Sequence, residues 1–300
     1  MTTSESIQPV GVASGVTTQP VDSPARRALR RFLRHRLAVV GLVIGIIFVV
    51  AALVGSEEVA LRQSLSDASQ PPSAEHWFGT DRTGRDVFSR TLVGGRVSLL
   101  VGVVAVAFAT IIGTVLGAIA GYYRRADLVI MRVVDIVMSF PTIILLLIAV
   151  AVLGAGILNL MIMIGLITWT LPCRIVRAQF LQLRESDFVI AARTIGLSDR
   201  AIVMRHILPN SLAPLLVFMS LGVASAVLTE AGLSYLGLGV QPPTPSWGNM
   251  LNAARSLTTL ERFPWQWVPP AVMTVLFVLA VNFIGDGLRD AFDPRSTHGR

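Results

Sequence analysis

The sequence predicts an all-α integral membrane protein with six spanning helices, and three observations carry that expectation. Of its 300 residues, 53% are hydrophobic and only 14% charged, more apolar surface than a soluble domain of this length can bury. The apolar residues gather in long uncharged runs rather than in short alternating ones. Basic residues lie between those runs and favour one side of the predicted membrane.

In chain order, residues 1–25 are rich in Ser, Thr, Gly, Val and Gln without a periodic apolar face, and a disordered tail is expected. Residues 26–36 set six arginines around Leu29, Phe32 and Leu33, which suits an interfacial helix on anionic lipid headgroups. Nucleic acid would also suit such a run, but an apolar segment follows directly, so no nucleic-acid partner is expected. Residues 37–55 are uncharged and long enough to cross the hydrocarbon once. A cleaved signal peptide fits less well, because its apolar core is usually ~7–15 residues and its basic region lies at the N-terminus.

An outer loop is expected over 56–97 and a second span over 98–123. From Ile136 to Cys173 no residue is charged, which is too long for one crossing and adequate for two. Gly154-Ala155-Gly156 supplies the reversal between spans at 136–153 and 157–173. After a polar segment at 174–208, spans are expected at 209–231 and 266–285, with a tail at 287–300.

All 25 basic residues are arginine. With the N-terminus inside, most of them flank the inner ends of the spans, which predicts that both termini and the 174–208 segment face the cytoplasm. Trp77, Trp247, Trp265 and Trp267 fall near the outer boundary and Tyr122-Tyr123 at the inner one, as expected of interfacial aromatics. The absence of lysine excludes a P-loop ATPase and a Schiff-base enzyme. One cysteine, Cys173, can form no intrachain disulfide, and four scattered histidines offer no metal-ligand spacing. No catalytic residue, metal site or resident cofactor is therefore expected.

The polar segment holds Asp187-Phe188-Val189-Ile190-Ala191-Ala192-Arg193-Thr194-Ile195-Gly196 and then Arg205-His206-Ile207-Leu208-Pro209-Asn210. Ser186 and Asp187 can cap a helix with Phe188, Ala191, Ala192 and Ile195 inward, and Gly196 can end it. Ser198 can cap a second short helix that Pro209 closes. The pattern resembles the EAA loop of ABC importer permeases, with Ala191, Ala192, Gly196, Leu208 and Pro209 in register. It departs at Ile190, where that family usually has Glu, and at His206, where it often has Ile.

Three further stretches resemble the second, DppC/OppC-type permease subunit of dipeptide and oligopeptide importers. They are His76 to Arg90 continuing into Gly95 to Gly102, Leu228 to Gly248, and Gly285 to Arg295. The bare residues of the first suggest a short helix capped by Thr80 or Asp81 with an Asp86 and Arg90 pair.

The resemblance implies a type I ABC importer transmembrane domain over 94–286 with cytoplasmic EAA coupling helices. It implies ATPase docking through Asp187, Ala191, Ala192, Arg193, Gly196, Arg200, His206, Leu208 and Pro209. Partners would be a homologous DppB/OppB-type subunit, two ATPase domains that bind ATP and Mg, and an extracytoplasmic solute-binding protein. Contacts to the last are expected at Asp81, Arg85, Asp86, Arg90, Pro242, Pro243 and Trp247. Glu230 either faces a translocation path, where it would attract a peptide ammonium group, or reaches the outer interface. Asn282 is either a second path residue or an interhelical hydrogen-bond donor, and Asp135 is expected to pair with Arg132. Glutathione, nickel chelates or haem are alternative cargoes. An ion-coupled secondary transporter is a rival that leaves the coupling loop without a purpose. An intramembrane hydrolase at Ser234 is the weakest rival, since no nucleophile elbow surrounds that serine.

Overall fold

The structure, a computed structural model, describes residues 24–292. The expected N-terminal tail lies outside them apart from Pro24 and Ala25, and so does the C-terminal stretch from Asp293 to Arg300. Helices run α1 (Pro24–Arg34), α2 (Arg36–Val54), α3 (Glu57–Leu61), α4 (Val87–Tyr122), α5 (Arg124–Met138), α6 (Thr142–Leu153) and α7 (Ile157–Thr168). They continue as α8 (Thr170–Leu183), α9 (Asp187–Thr194), α10 (Asp199–Ile202), α11 (Leu208–Tyr235), α12 (Trp247–Leu251), α13 (Leu257–Arg262) and α14 (Val268–Phe292).

Among the described residues, four helical stretches are long and apolar enough to cross a membrane: α2, α4, the run Asp199–Tyr235 and α14. Two bent pairs, α5 with α6 at 87° and α7 with α8 at 40°, bring the number to as many as six. The expected span at 136–153 is therefore broken. Pro141 lacks an N–H and pushes Phe140 out of helical geometry, so α6 starts afresh with 12 residues. That is about 18 Å of helix, short of a ~30 Å hydrocarbon core. Gly154, at φ +79°, ends α6 at the expected reversal.

Helix α4 is the axis of the fold, packed by α7, α8 and α11 along its length and by α2, α3 and α12 toward its start. It begins at Val87, inside the stretch expected to be loop up to Val97, because the charges that suggested a loop are satisfied. Buried Arg90 donates to Ala60 O at 3.3 Å. Arg96 donates to Ala52 O at 3.0 Å and Gly55 O at 3.1 Å, which supplies the donors that the last carbonyls of α2 lack. Farther along, Gly113, Gly117 and Gly121 recur every fourth residue against α8. A Cβ on Gly117 would lie 2.5 Å from Cys173 O and one on Gly113 2.8 Å from Trp169 O, so only glycine permits this approach.

Helix α8 extends past Cys173, the expected end of its span, to Leu183. Arg174 and Arg177, which marked that end, reach across to Asp135 and Asp127 of α5. Asp135 thus pairs with Arg174, not with Arg132 of its own helix. The outer helices α2 and α14 run antiparallel with close contact at Gly41, where a Cβ would meet Ala280 O at 2.5 Å. Helix α1 rests on the end of α14 through Phe32 and Ala291, while Leu29 and Leu33 stay exposed. His35 caps α2 by accepting from the Ala38 N–H, and its other ring nitrogen lies 3.4 Å from Asp290.

Candidate functional site

Helix α9 projects from one end of the bundle as a knob with a built-in stop. Gly196 sits at φ +84°; its N–H donates to Arg193 O at 3.0 Å and the Leu197 N–H to Ala192 O at 3.2 Å. Those two bonds are the glycine-dependent helix ending in which the last carbonyls find donors. Ser198 then caps α10 by accepting from the Ala201 N–H at 3.4 Å. Ser186 stands at the N-cap of α9 without a capping bond, because its hydroxyl donates back to Leu183 O.

The base of the knob is apolar. Val189, Ala192, Ile202 and Ile207 are buried with Val176 and Phe180 of α8 and Leu215 of α11. Tyr122, at the end of α4, also bonds Asp199. A push on α9 is therefore received by α4, α8 and α11 together.

The inward face differs from the expected one. Val189 and Ala192 face in, whereas Phe188 is 42% and Ile195 77% exposed and Ala191 is exposed between them. With Ile190, 51% exposed, they form an uncovered apolar surface at the tip. The expectation failed because it assigned the larger apolar side chains to the fold's own contact. Asp187, Arg193 and Arg200 are exposed beside that surface, while His206 and Leu208 are half-buried. Pro209 does not close a helix. It stands in the first turn of α11, after a π turn at Val203–Ile207 in which the Leu208 N–H reaches Val203 O, and its missing N–H costs nothing there.

Toward the opposite end, Glu230 of α11 is wholly buried. It neither lines an open path nor reaches an interface, as the two expectations had it. Ser98 donates to its Oε2 at 2.8 Å and Ser234 to its Oε1 at 2.7 Å. Each hydroxyl in turn accepts a backbone N–H, from Trp247 at 3.3 Å and from Val240 at 3.0 Å. The carboxylate so ties α4, α11 and the 236–247 loop into one junction. Trp247 is part of it: 1% exposed, its indole N–H on Thr91 O at 2.9 Å and its ring edge-on to Phe48. It is neither an interfacial ring nor a surface contact. Asn282 is half-buried and makes no side-chain hydrogen bond among the described residues.

Outside the spans, Asp81 organises a tight turn in place of the expected short helix. Its carboxylate accepts from the Thr83 N–H at 2.8 Å, the Thr83 hydroxyl at 2.7 Å, the Arg85 N–H at 3.1 Å and Arg85 Nε at 2.7 Å. Burial alone would raise its pKa, but these donors and the Arg85 charge hold it below the usual carboxylate range. Arg90 approaches Asp81 at 3.6 Å, not Asp86. Asp86 instead caps α4 through the Ser89 N–H at 2.7 Å and meets His76 at 3.0 Å. Of the residues expected to contact a binding protein, Pro242 and Pro243 are exposed, Arg85 and the two aspartates are partly covered, and Arg90 and Trp247 are buried.

A cavity of about 470 Å³ lies between α4, the α5–α6 bend, α7–α8 and α11. Phe140, Thr142, Thr168, Phe218, Ser225 and Thr229 help line it, and its lining includes no ionisable side chain and neither Glu230 nor Asn282. Sequence reasoning missed both serines as partners of Glu230: Ser98 is brought there only by the fold, whereas Ser234 stands one helical turn away and its i, i+4 spacing was the available signal. It also passed over Gly113, Gly117 and Gly121, whose spacing of four residues was a visible signal of close helix approach.

Residues 113–298 match the family described as binding-protein-dependent transport system inner membrane component. Residues 23–72 match the N-terminal transmembrane domain of oligopeptide transport permease C. The chain is 49% identical over 277 residues to a Brucella suis biovar 1 protein provisionally named a peptide permease, covering 91% of this chain and 92% of that one. It is 45% identical over 278 residues to the dipeptide transport system permease protein DppC of Alkalihalophilus pseudofirmus, covering 91% and 90%. Against the glutathione transport system permease protein GsiD of an Escherichia coli O6 strain it is 41% identical over 285 residues, covering 93% of each. Among solved structures, an inward-facing MetNI methionine ABC transporter chain superposes with a TM-score of 0.56 at 18% identity, covering 68% of this chain and 97% of the other. That likeness is one of fold.

Proposed function

Since the chain belongs to the family of binding-protein-dependent transport system inner membrane components, we propose that it is the permease subunit of an ATP-driven peptide importer. The observation that carries the energetic half of this function is the α9 tip: an apolar surface left uncovered on a helix that Gly196 stops and whose base is fastened to three bundle helices. In this reading Phe188, Ile190, Ala191 and Ile195 seat in a cleft of an ATPase subunit on the cytoplasmic side, with both chain termini on that side. ATP-driven closure of two ATPase domains moves the knob as a rigid body and tilts α4, α8 and α11.

Peptide cargo is supported by relatives named for peptide transport, and the uncharged cavity beside the α5–α6 bend is the part of the path that this chain contributes. The path is completed by a homologous second permease subunit, and a solute-binding protein delivers cargo to the 236–247 loop and the Asp81 turn. Glutathione, itself a modified tripeptide, is the second cargo that a close relative supports. Reconstituted complex assayed with a panel of di-, tri- and longer peptides beside glutathione tests this, with ATP-dependent uptake of at least one peptide expected. Uptake that follows a proton gradient at constant ATP would overturn it.

A further inference from the structure

Between α2 and the rest of the bundle, at the end away from α9, lies a second apolar groove of about 290 Å³. Close contact of α2 with α14 at Gly41 gives way, farther along, to a groove bounded by Ile47, Phe48 and Ala51 on one side and Leu92, Trp247 and Met273 on the other. The polar groups nearest it are committed. The Thr91 hydroxyl donates to Val87 O at 2.7 Å, and the Trp247 indole N–H donates to Thr91 O. Water in the groove would find almost no partner, and an empty groove would forfeit dispersion contacts along its walls.

The groove is continuous with the membrane-facing surface of the protein. Ile47, 60% exposed, belongs both to its wall and to the stripe of Val43, Ile46 and Val50 that α2 leaves uncovered over a membrane-spanning length. A stripe of this length and composition suits contact with hydrocarbon.

We propose that the groove holds the acyl chain of a bilayer phospholipid as a resident ligand, packed between α2 and the side chains of Leu92 and Met273. This site rests on membrane location alone and does not depend on the cargo.

The test uses the protein in its assembled membrane complex, reconstituted with phosphatidylethanolamine carrying a photoactivatable diazirine in one acyl chain. After illumination, peptide mapping should find adducts at Ala51, Leu92 or Met273 as well as on the stripe. A delipidating detergent wash before illumination should abolish the stripe adducts and spare those in the groove. Ala51→Phe, which fills the groove, should abolish the groove adducts and leave the stripe labelled. Groove residues that stay unlabelled in the wild-type complex while the stripe labels, or crosslinks there to another polypeptide, would overturn the proposal without any variant having to fold.

Discussion

Ser98 of α4 donates its hydroxyl to Glu230 of α11 at 2.8 Å, and neither residue is exposed to solvent. A buried carboxylate with two hydroxyl donors, each itself receiving a backbone N–H, acts as a fastener between helices and loop.

Glu230→Ala removes the acceptor for both serines and leaves a void, with an expected loss of about 3 kcal/mol seen as a lower thermal midpoint of the purified complex. Glu230→Gln keeps the shape but sets an amide N–H against one hydroxyl, for a loss of about 1 kcal/mol. Glu230→Gln that changes affinity for peptides with a free amino terminus while leaving the thermal midpoint unchanged would return the residue to the translocation path.

Gly196→Val places a β-branched residue at φ +84°, a strain of about 1–2 kcal/mol. No atom lies within 4 Å of the added Cβ, so the effect is one of backbone conformation and Gly196→Asn should be tolerated better. ATP hydrolysis that persists while uptake falls is the expected signature, measured side by side in proteoliposomes.

Gly117→Leu forces side-chain atoms into the contact between α4 and Cys173 O, for an expected 1–3 kcal/mol or so of overpacking. Reduced yield of folded complex in detergent should follow, and a wild-type melting profile would show that the helices can separate at no cost.

The pKa of Asp81 is held low in the folded turn. Its contribution to stability is therefore present above the unfolded carboxylate pKa, about 3.9, and is lost as pH falls through the folded value. Acid should loosen the turn below roughly pH 4, and Asp81→Asn should remove that acid dependence. Protease nicking of the 62–86 segment as a function of pH measures both.

The apolar runs and the glycine reversal at Gly154 were legible because periodicity and turn chemistry are local. Helix α4 was cut short at Ser98 because charge was taken as a boundary, yet Arg90 and Arg96 find acceptors that only the fold supplies. Trp247 looked like an interfacial ring for the same reason, since its burial depends on Phe48 and Gly95, both distant in sequence. At α9 the apolar pattern was visible but its direction was not. One amphipathic stripe serves equally well for the bundle or for a partner.

Ile195, which directly follows α9, is more exposed than Phe188 or Ile190 of that helix, and Cys173 is the chain's single cysteine. With Cys173→Ser as background, Ile195→Cys should react with a membrane-impermeant thiol reagent only when the cytoplasmic side is open, and should form a crosslink to the ATPase subunit in the assembled complex. Reaction from outside intact cells, or a fully active complex in which Ile195→Cys yields no crosslink to any ATPase subunit, would contradict the docking on which the function depends.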